Sequence, residues 1–234
     1  PLSSHEVAQG YKEVKERSAM VKFKAKGEDA YFLAWTTTPW TLPSNLGLCV
    51  NPDVTYVKIR VGDTVYYLAE ALVDAVFDGE REVLVRMTGK ELEYRDYEPL
   101  YPYAEGKIKK KAFFVICDDY VTTSDGTGIV HTAPAFGEDD NRVCRKYDMP
   151  FVQFVDAKGE MTADTDWPGV FVKDADPLIL KDLKAKGLLF KAPVFEHSYP
   201  HCWRCDTPLV YYARESWFIK MTAVRDELIA NNNT

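Results

Sequence analysis

Hydrophobic positions along this chain recur mostly with the period of strands. Tyr31 to Thr36 is an apolar, β-prone run, and Leu46 to Val50 is a second, shorter one. Tyr56 to Val61 alternates, and Thr64 to Leu68 follows after Gly62-Asp63, a two-residue hairpin turn of the Gly-X kind. Glu82 to Met87, Ala112 to Cys117, Gly126 to Val130, Phe151 to Val155 and Leu188 to Phe195 are further predicted strands. Helical spacing covers Glu70 to Phe77. A second helix is predicted from a cap at Asp139 or Asp140 to about Tyr147, and a third starts at Asp176-Pro177 and stops at Gly187. A last one runs from Met221 to Ala230. Many short strands with few helices predict an α+β fold, a small β-barrel core of short strands with helical decorations.

One stretch breaks the strand pattern. In "AWTTTPWTLPSN", residues 34 to 45, three threonines are followed by Pro39 and Pro43, which cannot donate a ladder hydrogen bond. A strand should reach Trp35 or Thr36 and end there, presenting hydroxyls to a proline-pinned loop. A second such place is "GTGIVHTAPAFGEDD", residues 126 to 140, where a strand carries His131 to its end and Pro134 and Gly137 turn the chain. Taken singly, His131 is most simply a satisfied structural histidine. Asp139 and Asp140 are most simply first-turn carboxylates favoured by the helix dipole. Two strand ends leading into stiffened loops, however, are where rigid scaffolds present sites.

Composition narrows the classes. The chain has 234 residues, of which 46% are hydrophobic, enough for a packed core and against global disorder. No apolar run approaches the ~18 residues of a membrane helix. The formal charge of −7 does not itself suggest a nucleic-acid partner, which must be gripped locally or from outside the chain. "KIKKK" at Lys107 to Lys111 is expected to be a solvated edge or loop rather than a phosphate site. There is no Gly-rich nucleotide loop and no fixed-period repeat. Five cysteines, odd in number and mostly isolated, suit a reducing, cytoplasmic setting. The opening "PLSSHEV", without an initiator methionine, suggests an excised fragment.

"WTTTPWTLPSN" and "GTGIVHTAPAFGEDD" together resemble the two signature loops of the editing domain inserted in isoleucyl-tRNA synthetases. "HSYPHCWRCDTPLVYYARESWFI" resembles the segment where that insertion rejoins the synthetase body. The related valyl and leucyl loops carry an arginine after their threonines, where this chain has Thr38. The HIGH and KMSKS signatures of amino-acid activation are absent, so no aminoacyl-adenylate synthesis is expected. The resemblance implies a barrel domain with an N-terminal connecting segment over residues 1–196, and a zinc-knuckle-like junction with a helical return over 197–234. It implies hydrolysis of valine misattached to the isoleucine tRNA, or of valyl-adenylate, without a cofactor. The partners implied are the tRNA 3′ CCA end carrying valine and the rest of the synthetase, with no membrane and a monomeric chain. A non-catalytic module binding the tRNA 3′ end and a free-standing trans-editing hydrolase are the rival readings.

The same resemblance gives residue roles. Asp140 holds the α-ammonium of the substrate, a charge-assisted contact suited to an ionised carboxylate, and an ordinary aspartate is too weak a base to act otherwise. Thr37 and Thr38 face the ester and position water. Thr36, Thr41 and Asn45 line the cleft with Trp35 and Trp40 as walls. His131 lines the side-chain pocket and excludes isoleucine.

Cys202 and Cys205 form the chain's one C-x-x-C, whereas a structural zinc usually takes four ligands. A redox pair lacks its βαβ context. A local site with His197 and His201 is possible but cramped. The third reading is a split zinc site whose other cysteine pair lies upstream, its repeat of "C-x-x-C-x-T-P-L" ending at Pro1-Leu2.

Overall fold

The computed structural model describes residues 2–215, 217 and 219–232. In chain order it has helix α1 (Ser4–Ala8), strands β1 (Tyr11–Arg17), β2 (Ala19–Lys24) and β3 (Tyr31–Thr36), and a 3-10 turn over Pro39–Ser44. Then come β4 (Gly47–Val50), β5 (Thr55–Val61), β6 (Thr64–Ala69), α2 (Val73–Val76), β7 (Glu82–Thr88), α3 (Gly89–Leu92), β8 (Phe114–Cys117) and β9 (Ile129–Thr132). The last elements are α4 (Glu138–Lys146), α5 (Val172–Ala185), β10 (Leu189–Lys191), β11 (Val194–Pro200) and α6 (Met221–Asn232).

Strand β3 organises the main sheet. Along one edge it pairs antiparallel with β2, from Ala19 opposite Thr36 to Lys24 opposite Tyr31. Its other edge is divided: β6 runs parallel to its first half at Tyr31 and Phe32, and β9 runs parallel to its end, with Trp35 opposite Val130. The β6 branch continues to β5 and β7, and the β9 branch to β4 and β8. The second branch curls back to β2. Asp96 bridges Phe114 of β8, Tyr97 bridges Ala25 just after β2, and the Lys26 and Glu98 amides bond across that seam at 2.9 and 2.8 Å. A barrel is thus closed by a stretch that is not itself a strand.

The core explains the pairing. Ala19, Val21 and Phe23 of β2 point inward while Met20, Lys22 and Lys24 do not, the alternation of a strand with one buried face. Phe32 stacks on Tyr67 at 4.9 Å and Phe23 meets Tyr97 edge-on at 5.4 Å. All four rings are almost wholly buried, and each such side chain contributes about 1.5–3 kcal/mol by leaving water. A separate ribbon pairs β1 with β11, from Tyr11 opposite Pro200 to Arg17 opposite Val194. The boundary expected between residues 196 and 197 falls within β11.

Several expectations need correcting. Phe151 to Val155 is not a strand, and only Val155 makes a bridge, to Met161. Helix α4 is capped by Gly137, and Asp139 and Asp140 lie in its first turn. Helix α5 begins at Val172, and Pro177 lies inside it; an Asp-Pro pair mimics a helix start because proline tolerates the first turn best. Strands β1 and β2 were not anticipated. The lysines of 107–111, by contrast, lie in an exposed loop as expected, three of them in surface ion pairs: Lys110 with Asp148 at 2.5 Å, Lys111 with Asp96 at 2.8 Å, and Lys107 with Asp164.

Candidate active site

The parallel register of β3 and β9 places the two signature loops side by side. Trp35 lies opposite Val130, so the chain leaves both strands at the same end of the barrel, one into the threonines and the other into Thr132 and Ala133. Ligand sites in sheets with parallel strands gather at such carboxyl ends.

The threonine loop is braced internally. The Thr38 amide donates to Thr36 Oγ1 at 3.1 Å, and the Thr41 hydroxyl donates to the Thr38 carbonyl at 2.8 Å. Six residues, Pro39 to Ser44, then form a fully buried 3-10 turn. Pro39 sits at its start, where no amide hydrogen is required. Thr36 is buried, and Thr37 and Thr38 are half-buried. Thr38 Oγ1 has hydroxyl neighbours in Thr36 and Thr41 at 3.4 and 3.3 Å. Among the described residues the Thr37 hydroxyl has no hydrogen-bond partner.

A chain of hydrogen bonds fixes His131. The Asn45 side-chain amide donates to the Gly47 carbonyl at 2.8 Å, which settles its orientation, and also faces His131 Nδ1 at 3.2 Å. His131 Nδ1 is therefore the acceptor. The proton of the neutral ring sits on Nε2 and is donated to Thr41 Oγ1 at 2.7 Å. The Tyr97 hydroxyl donates to Asn45 Oδ1 at 2.6 Å. Burial lowers the His131 pKa to about 3, so the ring is neutral at physiological pH.

Asp140 is not an ordinary aspartate. Burial raises its pKa to about 6, with Asp139 adding to the rise, against the Ala133 amide and Tyr120, which favour the ionised form. Its Oδ2 accepts the Ala133 N–H at 2.9 Å. Gly137 makes this packing possible, because a Cβ there would lie 3.0 Å from Asp140 Cγ. Asp139 turns outward to Arg142 at 3.0 Å, and that guanidinium also holds Asp118 through two bonds of 3.0 and 2.9 Å.

The two tryptophans have different surroundings. Trp40 is only 3% exposed and packs edge-on against Phe136 at 4.9 Å. Trp35 packs edge-on against Phe195 at 5.3 Å and covers Gly126. One contact had no signal in the sequence: the Trp40 amide donates to Asp176 Oδ1 at 2.7 Å, across 136 residues of chain. A cavity of about 530 Å³ opens beside Pro134, with Arg145, Phe151 and Arg214 on its walls. The Ala213 amide donates to the Ala135 carbonyl at 2.7 Å and holds the following segment against this loop.

Cys202 and Cys205 share a tight turn, with the Cys202 amide on the Thr207 carbonyl and the Asp206 amide on the Cys202 carbonyl, both at 2.8 Å. Hydrogen bonds from Thr207 lower the Cys205 pKa. His197 faces Glu16 at 3.3 Å and His201 Nδ1 faces the Tyr199 carbonyl at 3.0 Å. Among the described residues no three His, Cys, Asp or Glu side chains gather to hold a metal, so two thiols alone do not fit a four-ligand zinc. The N-terminal segment lies against this turn, with the His201 amide on the Gly10 carbonyl at 2.7 Å and Arg204 facing Glu6 at 3.4 Å. Pro1 of the expected repeat is outside the described residues.

No family model matches the chain. It is 54% identical over 234 residues to the isoleucine–tRNA ligase of Clostridium novyi, covering 99% of this chain and 22% of the relative. The isoleucine–tRNA ligase of Thermus thermophilus is 48% identical over 238 residues, again with 99% and 22% covered. The chain therefore spans about a fifth of the length of these curated relatives. Among solved structures, GlLeuRS-CP1 superposes with a TM-score of 0.60 at 17% identity, covering 76% of this chain and 99% of that one. The editing domain of P. knowlesi cytosolic leucyl-tRNA synthetase gives 0.57 at 14% identity, covering 79% and 98%. The chain thus belongs to the isoleucine–tRNA ligase family, as a segment with the fold of a CP1 editing domain.

Proposed function

We propose that this domain hydrolyses valine wrongly esterified to the isoleucine tRNA. The observation that carries the reading is the meeting of two loops at one barrel end, one offering an unengaged Thr37 hydroxyl and the other Asp140. For isoleucyl-tRNA synthetase itself, discrimination by one methylene is known to be limited to about 1–3 kcal/mol, which a second, hydrolytic sieve corrects.

Each group has a task that its surroundings support. Asp140 takes the α-ammonium of valine, and the arriving cation would pull its raised pKa back down. Thr37, with Thr38 behind it, holds the attacking water and a ribose hydroxyl at the ester. Water oxygen bonds to the ester carbonyl carbon, the bond to the ribose oxygen breaks, and a proton passes to that oxygen. His131 is no base here, since burial leaves it too weakly basic, with a pKa of about 3, and both ring nitrogens are engaged. It presents a fixed wall that limits side-chain size. Positioning and fixed dipoles supply the rate, and a single well-placed donor is worth about 3–4 kcal/mol.

The partners follow from this reading: the CCA end of the tRNA, whose phosphates the Arg145 and Arg214 side chains of the cavity beside Pro134 would attract, and the rest of the ligase, in the cytoplasm. No helix among the described residues is long and apolar enough to cross a membrane. Cys202 and Cys205 are read as half of a zinc site completed from outside the chain, supported by the N-terminal segment packed against them.

The test is deacylation of Val-tRNA(Ile) by the chain and by a full-length ligase carrying it, each with Asp140→Ala. Loss of hydrolysis in the variant of the full enzyme is expected. Retained hydrolysis overturns the Asp140 role, and tRNA binding without hydrolysis by the unaltered proteins favours a non-catalytic module.

A further inference from the structure

We propose that Asp176 is a positioning residue for the threonine loop, capping its 3-10 turn from a helix 136 residues away in the chain. This inference rests on the editing reading above.

The argument starts from the donors of the turn. Pro39, its first residue, has no amide hydrogen, so Trp40 carries the first N–H that needs an acceptor. The residue before the turn, Thr38, makes no side-chain cap bond. Trp40 is buried, and a buried amide without a partner costs about 1–3 kcal/mol. Asp176 Oδ1 meets that amide at 2.7 Å, a short hydrogen bond. No local side chain replaces it: the hydroxyls of Thr36, Thr38 and Thr41 are engaged with one another and with His131, and that of Thr37 makes no bond to this amide.

The placement of the carboxylate is also selective. Asp176 sits on α5 among Lys173, Glu16 and Tyr199. Lys173 bonds both oxygens of Glu16 at 2.8 and 2.9 Å and lies over the Tyr199 ring at 4.1 Å. The nearest cation is thus already engaged with Glu16, and no bond joins it to Asp176 among the described residues. Burial accordingly raises the Asp176 pKa to about 7. A carboxylate kept half-buried without an ion pair, and aimed at one backbone amide, is placed for that amide rather than for charge pairing. Its effect on chemistry runs through Trp40 to Thr38 and Thr37, whose position at the ester must hold to a fraction of an ångström.

The test is made in a full-length ligase carrying this domain. Asp176→Ala should lower kcat for Val-tRNA(Ile) hydrolysis by about 10- to 100-fold, the cost of a displacement near 1 Å, with KM within about two-fold. Asp176→Asn keeps an acceptor at Oδ1 and should restore kcat to within about three-fold of the unaltered enzyme. Isoleucine activation should be unchanged in both. In the 234-residue chain, the Trp40 amide proton should move upfield in Asp176→Ala and stay nearly in place in Asp176→Asn. If the alanine variant does not fold, Asp176→Glu, which displaces the acceptor by one methylene, should show the same kcat loss. An unmoved Trp40 amide, a folded alanine variant with full kcat, or an asparagine variant as impaired as alanine each overturns the proposal. If the unaltered proteins do not deacylate, the editing reading fails while the amide shift still decides the capping role.

Discussion

The Tyr97 hydroxyl donates to Asn45 Oδ1 at 2.6 Å, so a residue of the barrel's seam fixes the amide that decides which nitrogen of His131 carries its proton. Tyr97→Phe removes the donor and leaves Asn45 Oδ1 buried without it. We expect a loss of about 1–3 kcal/mol in stability, read as a lower urea midpoint at unchanged m. With the amide then held only through its Gly47 bond, His131 is fixed less firmly, and on the proposed reading hydrolysis should also become less selective for valine over isoleucine. A variant as stable and as selective as the original would show that the chain of bonds is ornamental.

If His131 is the proposed wall to side-chain size, His131→Ala should open it. The expected result is measurable hydrolysis of correctly charged Ile-tRNA(Ile) with Val-tRNA(Ile) hydrolysis retained, in an assay that follows both esters. Continued sparing of isoleucine would remove His131 from specificity.

Asp140 and Asp176 set a pH dependence of stability. Both titrate near 3.8 when unfolded and at about 6 and about 7 in the fold. Between pH ~4 and ~7 the folded chain therefore holds protons that the unfolded chain has released, so these two groups make stability fall as pH rises, levelling off above ~7. His131, shifted down to about 3, works in the opposite direction below pH ~6.5. The difference between the original and Asp176→Asn isolates one group. In thermal or urea unfolding, the variant should gain relative stability steadily from pH 4 to 7.5. A difference independent of pH would mean that Asp176 is ionised in both states.

Gly126 has φ +73° and a Cβ there would lie 2.6 Å from the Trp35 ring. Gly126→Ala combines left-handed strain with a clash, and should destabilise by about 1–3 kcal/mol or more while changing Trp35 fluorescence. Neutral stability with an unchanged emission spectrum would show that the loop shifts freely.

Much of this architecture was legible in local pattern. The run Tyr31 to Thr36 is strand β3 to the residue, and Gly62-Asp63 forms the predicted turn between β5 and β6. The alternation Ala19, Val21, Phe23 against Met20, Lys22, Lys24 was equally readable, and β2 could have been found from it. Strand β1 could not, since its residues are mostly exposed and it is held by β11 at the far end of the chain. The threonines, His131 and Asp140 stand out as motifs because each is embedded in a run of unusual neighbours. Tyr97 and Asp176 do not. One looks like a loop tyrosine and the other like a helix-start aspartate, and only pairings across 52 and 136 residues reveal what they hold. The raised pKa of Asp140 was hidden for the same reason, since burial is a property of the packed loop and not of the letters around it.

The seam around Asp96 and Tyr97 joins β8 to β2 by isolated bridges instead of a full ladder. A stretch of wall without a ladder of its own is expected to breathe on warming more readily than the paired strands. On the proposed editing reading Tyr97 also anchors the His131 wall, so heat would blur the sieve before it stops the hydrolysis, and such an enzyme would grow wasteful before it grew slow.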